Sequence, residues 1–520
     1  MGAALPGLPV INIGFTRNLA WTHTVDASSH FLIYRLKRDV ADPSRYMVDG
    51  KSTAMQRKSV TVDVREKSGS ITQRSRDFYR TEFGVVLDMS DRFGRDDEHA
   101  YVIDDVNLTN DAALEQWFAM NRANSVEGLE SVVIRILGIP WVDTIAVGSN
   151  GAALFMNVSM IPRVDSEKLS RCRALDSDRP VSDIHVLDGT RRDCGRNVTS
   201  GLRQDGVFPG DRLPILRRDD FVINSNDTAW LANPSQPLTG FSPLVSRENV
   251  ELGGRARYVL DWLRRRSDVG SPAGQRLGPD DVESLLMRDD VYSASLVMSD
   301  LLTLCPKNSE TRAEDTETKD LASVCETLRA WDQTADVDAN IGYLYFESFM
   351  ERARKVTNVW RVPFDPSLPI DTPRGLNVGD PAVAEQLKAA LAASHRDALK
   401  GGFRLDSRWG EIQVASRGGR EIPIHGGSAA LGVYNVIKSS PSGPGKREVA
   451  SGSSYMQIVS FDGSGPQVNA LLAFSESADP RSQFFADQTE LFSRKEWVRL
   501  PFAEEEIKSD PSYRRQTIPY

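Results

Sequence analysis

The 520-residue chain has no uninterrupted apolar run long enough to cross a bilayer as a helix. The best candidate, Val132 to Ile161, is broken by Arg135, Pro140 and Asp143. A membrane is not an expected partner. The start has no basic region followed by an apolar core and a small-residue cleavage site, so no signal peptide is visible in this chain. Met1-Gly2 resembles the opening of a myristoylation signal, but Pro6 stands where that pattern takes Ser or Thr. Basic blocks are scarce too, because the 63 Lys and Arg are scattered among 72 Asp and Glu for a net charge of -9. Nucleic acid is therefore not an expected partner. The one triplet, Arg264-Arg265-Arg266, follows Leu260-Asp-Trp-Leu263 and reads as a helix end with solvated cations rather than an anion site. Common hydrolase signatures are missing as well: there is no Gly-x-Ser-x-Gly, no His-Glu-x-x-His and no Gly-x-Gly-x-x-Gly. The six histidines, His23, His30, His99, His185, His395 and His425, are widely spaced, so no metal and no cofactor is expected.

What is present is ordinary for a globular protein: 40% hydrophobic and 26% charged residues, in a chain long enough for a large core or several lobes. Four cysteines, Cys172, Cys194, Cys305 and Cys325, form two local pairs. Two nearby disulfides would suit an exported protein, each closing a loop of roughly twenty residues worth on the order of 3 kcal/mol. Four free thiols in a reducing compartment are the alternative. Zinc is less favoured, since no Cys-x-x-Cys or nearby histidine pair accompanies them.

Strand patterns open the chain at Val10 to Phe15 and Phe31 to Leu36, with two more at Ser59 to Val64 and Phe83 to Met89 around the polar stretch Arg65 to Arg80. Leu114, Trp117, Phe118 and Met120 recur at helical spacing after the capping candidate Asn110, and Val126 to Leu137 reads as a second helix. Thr144 to Val147 and Ala152 to Val158 return to strand. Residues 162–214 turn polar around the first cysteine pair and read as a stapled loop region. From 250 to about 400 the patterns are helical, at Arg255 to Arg266, Asp280 to Met287, Val291 to Leu304, Ser323 to Trp331, Tyr343 to Arg354 and Ala382 to Ala393. Strands resume at Ile412 to Ala415, Ser454 to Phe461 and Ala470 to Ser475, and residues 401–520 are expected to complete the sheet begun in 1–249. Gly445-Lys446 has the end of a phosphate loop, but Arg447 stands where Ser or Thr is needed, so Ser439 to Lys446 reads as a surface turn.

The segment Gly7-Leu-Pro-Val-Ile-Asn-Ile-Gly14-Phe-Thr-Arg-Asn-Leu-Ala-Trp21-Thr-His-Thr-Val-Asp26 and its continuation Ser28-Ser29-His30-Phe31 resemble the penicillin acylase family. The likeness is to its branch of acyl-homoserine lactone and aculeacin-type lipopeptide acylases. His425-Gly-Gly427, Ser451-Gly-Ser-Ser-Tyr455, Phe474 to Pro480, Phe485 to Gln488, Leu491-Phe492 and Trp497 resemble the closing segments of the same branch, and Trp331-Asp332 fits its helical lobe. The resemblance implies an α+β protein, the αββα sandwich of the N-terminal nucleophile hydrolases with a mostly helical inserted lobe. It also implies hydrolysis of the amide bond of N-acyl compounds, such as an acyl-homoserine lactone, a lipopeptide or a penicillin side chain. In that family a chain-terminal serine attacks, and its own α-amino group, which titrates near about 8, takes the hydroxyl proton. Met1 has neither hydroxyl nor thiol. The chain thus reads as most of a β subunit whose nucleophile segment and α subunit are missing partners, from a parent expected in the periplasm or secreted. An acyl-binding subunit or incompetent fragment is the alternative.

Carried over residue by residue, the resemblance assigns the oxyanion hole to the backbone of Val25 and to an asparagine of Asn224-Ser-Asn226-Asp227, with Asn226 preferred. Arg255, ahead of Arg257, is the arginine expected to hold that asparagine, and Trp117 and Trp141 are candidates for the acyl pocket. The side chain of Val25 is expected to be buried, and His23 to face solvent. Some penicillin acylases hold calcium just after the oxyanion strand, but here Ala27, Ser28, Ser29 and His30 follow Asp26, so no calcium is expected. An unrelated hydrolase built on Asp26 and Glu411 is a further alternative.

Overall fold

A computed structural model describes residues 1–89, 93, 96, 98–174, 184–198, 201–268, 277–306 and 316–517. The chain divides into two compact units, Met1–Glu248 and Asn249–Tyr520.

Among the described residues the first unit holds two sheets. In one, the spatial order is Gly2–Ala3, Ile13–Phe15, Leu19–Val25, Val142–Gly148, Ala153–Met156 and Ile215–Arg218, each neighbour antiparallel. In the other, Lys51–Ala54, Arg45–Val48, Phe31–Arg38, His99–Asp105, Gly84–Val86, Ile71–Thr81 and Gln56–Arg65 follow one another, and Val186–Asp188 adds to Phe31–Arg38 in parallel. Leu19 and Trp21 of the first sheet share one core with Leu32, Tyr34, Leu36 and Val102 of the second. The helix Val126–Ile136 adds Val126, Leu129 and Val133, spaced three and four apart on one face. Ser125 caps that helix by accepting the Gly128 N–H, and Leu137 ends it in the left-handed region. The preceding helix, Ala113–Met120, starts just after Asn110, whose Oδ1 accepts the Ala112 N–H at 3.1 Å.

Two elements of this unit differ from the sequence expectation. The polar stretch after Arg65 is a strand, Ile71–Thr81, paired along its length with Gln56–Arg65 in an exposed ribbon. With little buried on either face the ribbon shows no alternation of apolar residues, so cross-strand pairing rather than patterning defines it. Residues 162–214, of which 175–183 and 199–200 lie outside the described residues, contain the short helix Ser166–Arg171 and the strand Val186–Asp188, and the bond Cys172–Cys194 ties them.

The second unit contains the helices Gly254–Asp268, Pro279–Met287, Tyr292–Thr303, Thr316–Arg329, Gly342–Ala353 and Pro381–Lys400. Tyr343, Phe346, Phe349, Met350 and Ala353 fall on one side of Gly342–Ala353 and are buried against Leu387 and Leu391 of the last helix. That helix begins where Asp380 accepts the N–H groups of Ala382 and Val383 ahead of Pro381. Cys305–Cys325 is the second disulfide. The same unit carries a four-stranded sheet, Arg420–Pro423, Gln413–Arg417, Lys446–Gly452 and Ile437–Gly443, and a three-stranded one, Tyr455–Asp462, Gly465–Leu472 and Val498–Leu500. Ser439 to Lys446 is thus not only a turn: it is the tip of a hairpin whose strands extend to either side of it. His425-Gly-Gly427 is explained by space, since a side chain at Gly427 would lie 2.3 Å from the Tyr343 hydroxyl and Gly426 has φ +98. No helix among the described residues is long and apolar enough to cross a membrane.

Candidate active site

The strand Leu19–Val25 positions the site. It pairs with Val142–Gly148 so that Val25 faces Val142 and Thr24 faces Asp143, and just past its end Asp26 donates its N–H to the Trp141 carbonyl at 3.2 Å. Amide direction alternates along a strand. The Val25 N–H and C=O therefore point away from Trp141, to the opposite edge of the strand. On that edge Asn226 Nδ2 donates to the Val25 carbonyl at 2.9 Å, bringing together residues 201 apart in sequence.

Asn224 builds the loop that makes this possible. Its Oδ1 accepts the Asn226 N–H at 2.8 Å and the Thr24 hydroxyl at 2.8 Å, and its Nδ2 donates to the Asp227 carbonyl at 3.1 Å. The loop is thereby fastened to the strand one residue before Val25. Asn226 itself is exposed and sits in the left-handed region at φ 66, a conformation that Asn tolerates better than most residues. Thr228 ends the turn by capping the one-turn helix Ala229–Leu231 and donating to the Arg247 carbonyl at 2.8 Å.

Val25 is 58% exposed, against the expectation of a buried side chain. Along its face Trp21 is buried, His23 is half-buried and Val25 is exposed, because the strand runs out from under the core. His23 is a second correction. It does not face solvent: its Nε2 accepts the Trp117 indole N–H at 3.0 Å, while Nδ1 lies 3.1 Å from the Asp143 carbonyl and 3.2 Å from the Thr144 hydroxyl. With Nε2 accepting, the proton is on Nδ1 and the ring is neutral. Burial pushes its pKa down to about 4, against the smaller upward pull of the Asp143 carbonyl. A folded pKa below the unfolded value of 6.5 means that the unfolded chain binds more protons between the two, so stability falls as pH drops from 6.5 toward 4. Urea midpoints across that window should fall more steeply for the wild type than for His23→Gln, and parallel curves would refute this.

Trp117 is half-buried and packs edge-on to His23 with ring centroids 5.7 Å apart, on the face that leads to Val25. Trp141 is 54% exposed beside Val142, the neighbour of Val25. Arg255 lies in the first turn of Gly254–Asp268, in the second unit, and is half-buried. Arg257 is buried within that unit, where its Nε donates to the Ile370 carbonyl at 2.9 Å and its guanidinium lies over Tyr292. Asp26 is buried and bonded to His30 and Ser159, whereas Glu411 accepts the Arg408 N–H at the start of a one-turn helix in the other unit.

Sequence reasoning missed Asp143, Asn157, Ser159 and the part taken by His30, which form a buried polar cluster beneath the strand end. Asp143 entered it only as a break in an apolar stretch, and that was the available signal: an acid inside an otherwise buried strand needs a partner.

The sequence pattern of the penicillin amidase family matches residues 1–509. The chain belongs to the penicillin amidase family. It is 46% identical over 518 residues to acyl-homoserine lactone acylase PvdQ of Pseudomonas fluorescens (strain Pf0-1), covering 100% of this chain and 64% of that one. The PvdQ of Pseudomonas syringae pv. syringae (strain B728a) is 45% identical over 518 residues, with 100% and 65% covered. The aculeacin-A acylase of Actinoplanes utahensis is 33% identical over 524 residues, with 99% and 64% covered. The chain thus spans a little under two thirds of the length of these curated relatives. A thermostable penicillin G acylase from Alcaligenes faecalis superimposes with a TM-score of 0.61 at 13% identity, over 100% of this chain and 93% of that one. The penicillin amidase fold is therefore the α+β N-terminal nucleophile hydrolase fold expected from the sequence.

Proposed function

We propose that this chain belongs to an enzyme that hydrolyses the amide bond of N-acyl compounds, with acyl-homoserine lactones the first substrates to try and lipopeptide or penicillin side chains next. The observation that carries the reading is the placement of the Asn226 carboxamide on the strand edge toward which the Val25 N–H points. Two N–H donors on one strand edge suit an oxygen that becomes negative as the amide carbon turns tetrahedral. The hydrogen bond from Nδ2 to the Val25 carbonyl fixes the carboxamide before substrate arrives, so little reorganisation is left for the reaction.

The nucleophile we assign to an N-terminal serine outside these 520 residues, with its α-amino group as base. Its oxygen bonds to the acyl carbon, the C–N bond breaks as the amine takes up the proton, and water then hydrolyses the ester. Arg255 is assigned to hold Asn226, and Trp117 and Trp141 to the acyl pocket. An α subunit and the serine-bearing segment are the partners this implies. The two disulfides support an exported parent, periplasmic or secreted.

The test is hydrolysis of a panel of acyl-homoserine lactones and penicillins by this chain, and by the chain extended upstream in its gene through the serine and propeptide. Turnover only by the extended, self-cleaved form is the expected result. Turnover by the 520-residue chain alone would overturn the nucleophile assignment, and binding without turnover by both would favour an acyl-binding subunit.

A further inference from the structure

The strand end that presents Val25 rests on a buried chain of polar groups for which the hydrolysis above has no use. Asp143 is completely buried; Asn157 Nδ2 donates to its Oδ1 at 2.6 Å, and its Oδ2 has no hydrogen-bond partner among the described residues. The Ser28 hydroxyl shares its one hydrogen between the Val245 carbonyl at 2.9 Å and Asn157 Oδ1 at 3.1 Å, and Ser28 gives its backbone N–H to Asp26 Oδ1 at 3.2 Å. Ser159 donates to Asp26 Oδ2 at 2.8 Å. His30 closes the chain with Nε2 2.6 Å from Asp26 Oδ1 and Nδ1 2.7 Å from the Met160 carbonyl.

Two protonation states follow from this geometry. An imidazole whose nitrogens both meet acceptors must carry two hydrogens, so His30 is an imidazolium. A buried acid with one oxygen facing no donor is far cheaper to keep neutral than ionised, so Asp143 holds a proton. The surrounding charges agree. Burial first, then the charge of Asp26, pushes Asp143 well above the usual carboxylate range against the hydrogen bond from Asn157. Burial would lower His30, but the hydrogen bond and charge of Asp26, the Met160 carbonyl and the charge of Asp105 outweigh it and raise the ring above its ordinary value.

We propose that Asp143, Asp26 and His30 are positioning residues, a buried clamp of one cation, one anion and one neutral acid that fixes the direction of the Val25 N–H. The clamp grips the chain on both sides of Val25. Asp143 is cross-strand from Thr24, and the Asp26 side chain holds the turn that leads to His30. Losing a proton from either His30 or Asp143 would leave uncompensated negative charge beneath the place where the reaction makes an oxyanion. Catalysis should then fall at alkaline pH through kcat rather than KM. The inference rests on reading Val25 as an oxyanion donor.

Two measurements on the extended, self-cleaved protein test it. In kinetics, Asp143→Ala and Asp26→Asn should each lower kcat by about tenfold to a hundredfold with little change in KM, as expected for a donor displaced by a fraction of an ångström. Asp143→Asn, which keeps the neutral shape, should recover most of that loss and leave the alkaline limb to His30 alone. Unchanged kcat in Asp143→Ala, or a loss that Asp143→Asn does not recover, would overturn the clamp. The second measurement needs no turnover: nitrogen-15 shifts of the His30 ring should show both nitrogens keeping their protons to a higher pH than a free imidazole does, and Asp26→Asn should pull the ring's titration down, because burial then acts against less compensation. Amide exchange at Val25 should also quicken in Asp143→Ala. A neutral His30 with unaltered Val25 exchange would refute the proposal even in an active enzyme. A wild type that hydrolyses nothing while His30 and Val25 behave as expected would instead remove the functional reading and leave the clamp standing.

Discussion

Replacing Asn226 with alanine is expected to lower kcat for amide hydrolysis by about two to three orders of magnitude in the self-cleaved enzyme, with KM changed far less. The size follows from where the carboxamide is held: its Nδ2 is fixed 2.9 Å from the Val25 carbonyl, on the edge toward which the Val25 N–H points. Asn226→Asp should be at least as damaging, because it replaces a donor by an oxygen that repels the developing oxyanion. Asn224→Ala separates the two asparagines. Asn224 makes three bonds within the loop and to Thr24, so its loss should cost about 1–3 kcal/mol of stability. Steady-state kinetics beside urea denaturation of the three variants decides the matter. A larger loss of kcat in Asn224→Ala than in Asn226→Ala, with stability unchanged, would exchange the two roles.

Asp289→Ala is expected to destabilise the second unit by about 3–5 kcal/mol, the cost of leaving buried partners without their counter-charge. Asp289 and His425 are completely buried, with Asp289 Oδ2 2.8 Å from His425 Nδ1 and 3.0 Å from Lys495 Nζ. Asn435 Nδ2 donates to the other oxygen at 3.1 Å, and His425 Nε2 lies 2.9 Å from the Phe492 carbonyl. Burial lowers the pKa of Lys495, but the charges and hydrogen bonds of Asp289 and Asp336 outweigh it and the net shift is upward. The cluster links the loop after Pro279–Met287, the His425 segment and the helix Asp487–Ser493. Chemical denaturation followed by fluorescence or hydrogen exchange confined to residues 249–517 is the measurement. A loss below about 1 kcal/mol would mean that water or a local shift replaces the carboxylate. Asp289→Asn, which retains the acceptor oxygen, should recover part of the loss.

Much of the fold was legible because its signals are local. Helices such as Gly342–Ala353 and Pro381–Lys400 carry apolar residues at three- and four-residue spacing, with a cap or a proline at the start of the latter, and their extents fell within a few residues of expectation apart from the longer end of the last. The ribbon of Gln56–Arg65 and Ile71–Thr81 was only half legible, because exposed strands need not alternate. The hairpin Ile437–Gly443 with Lys446–Gly452 looked like a turn because its outer strand is built of Lys, Ser, Pro and Gly.

The sequence by itself determined the family, the hydrolase fold and the short list of asparagines, arginines and tryptophans, because residue types and their spacing are properties of the chain. It also determined that the cysteines fall in close pairs, which the structure joins as Cys172–Cys194 and Cys305–Cys325. Only the tertiary structure decided that Asn226 reaches the Val25 carbonyl while Asn224 braces the loop. It alone placed His23 against Trp117, and buried Asp143 across from Thr24 and, through Asn157, in one cluster with Asp26 and His30. The physical reason is that each of these facts depends on which amide edge, ring nitrogen or carboxylate oxygen meets which partner across 94 to 201 residues of sequence. Direction and burial at such distances are set by strand register and by the loss of water, and neither is written in the spacing of residues along the chain.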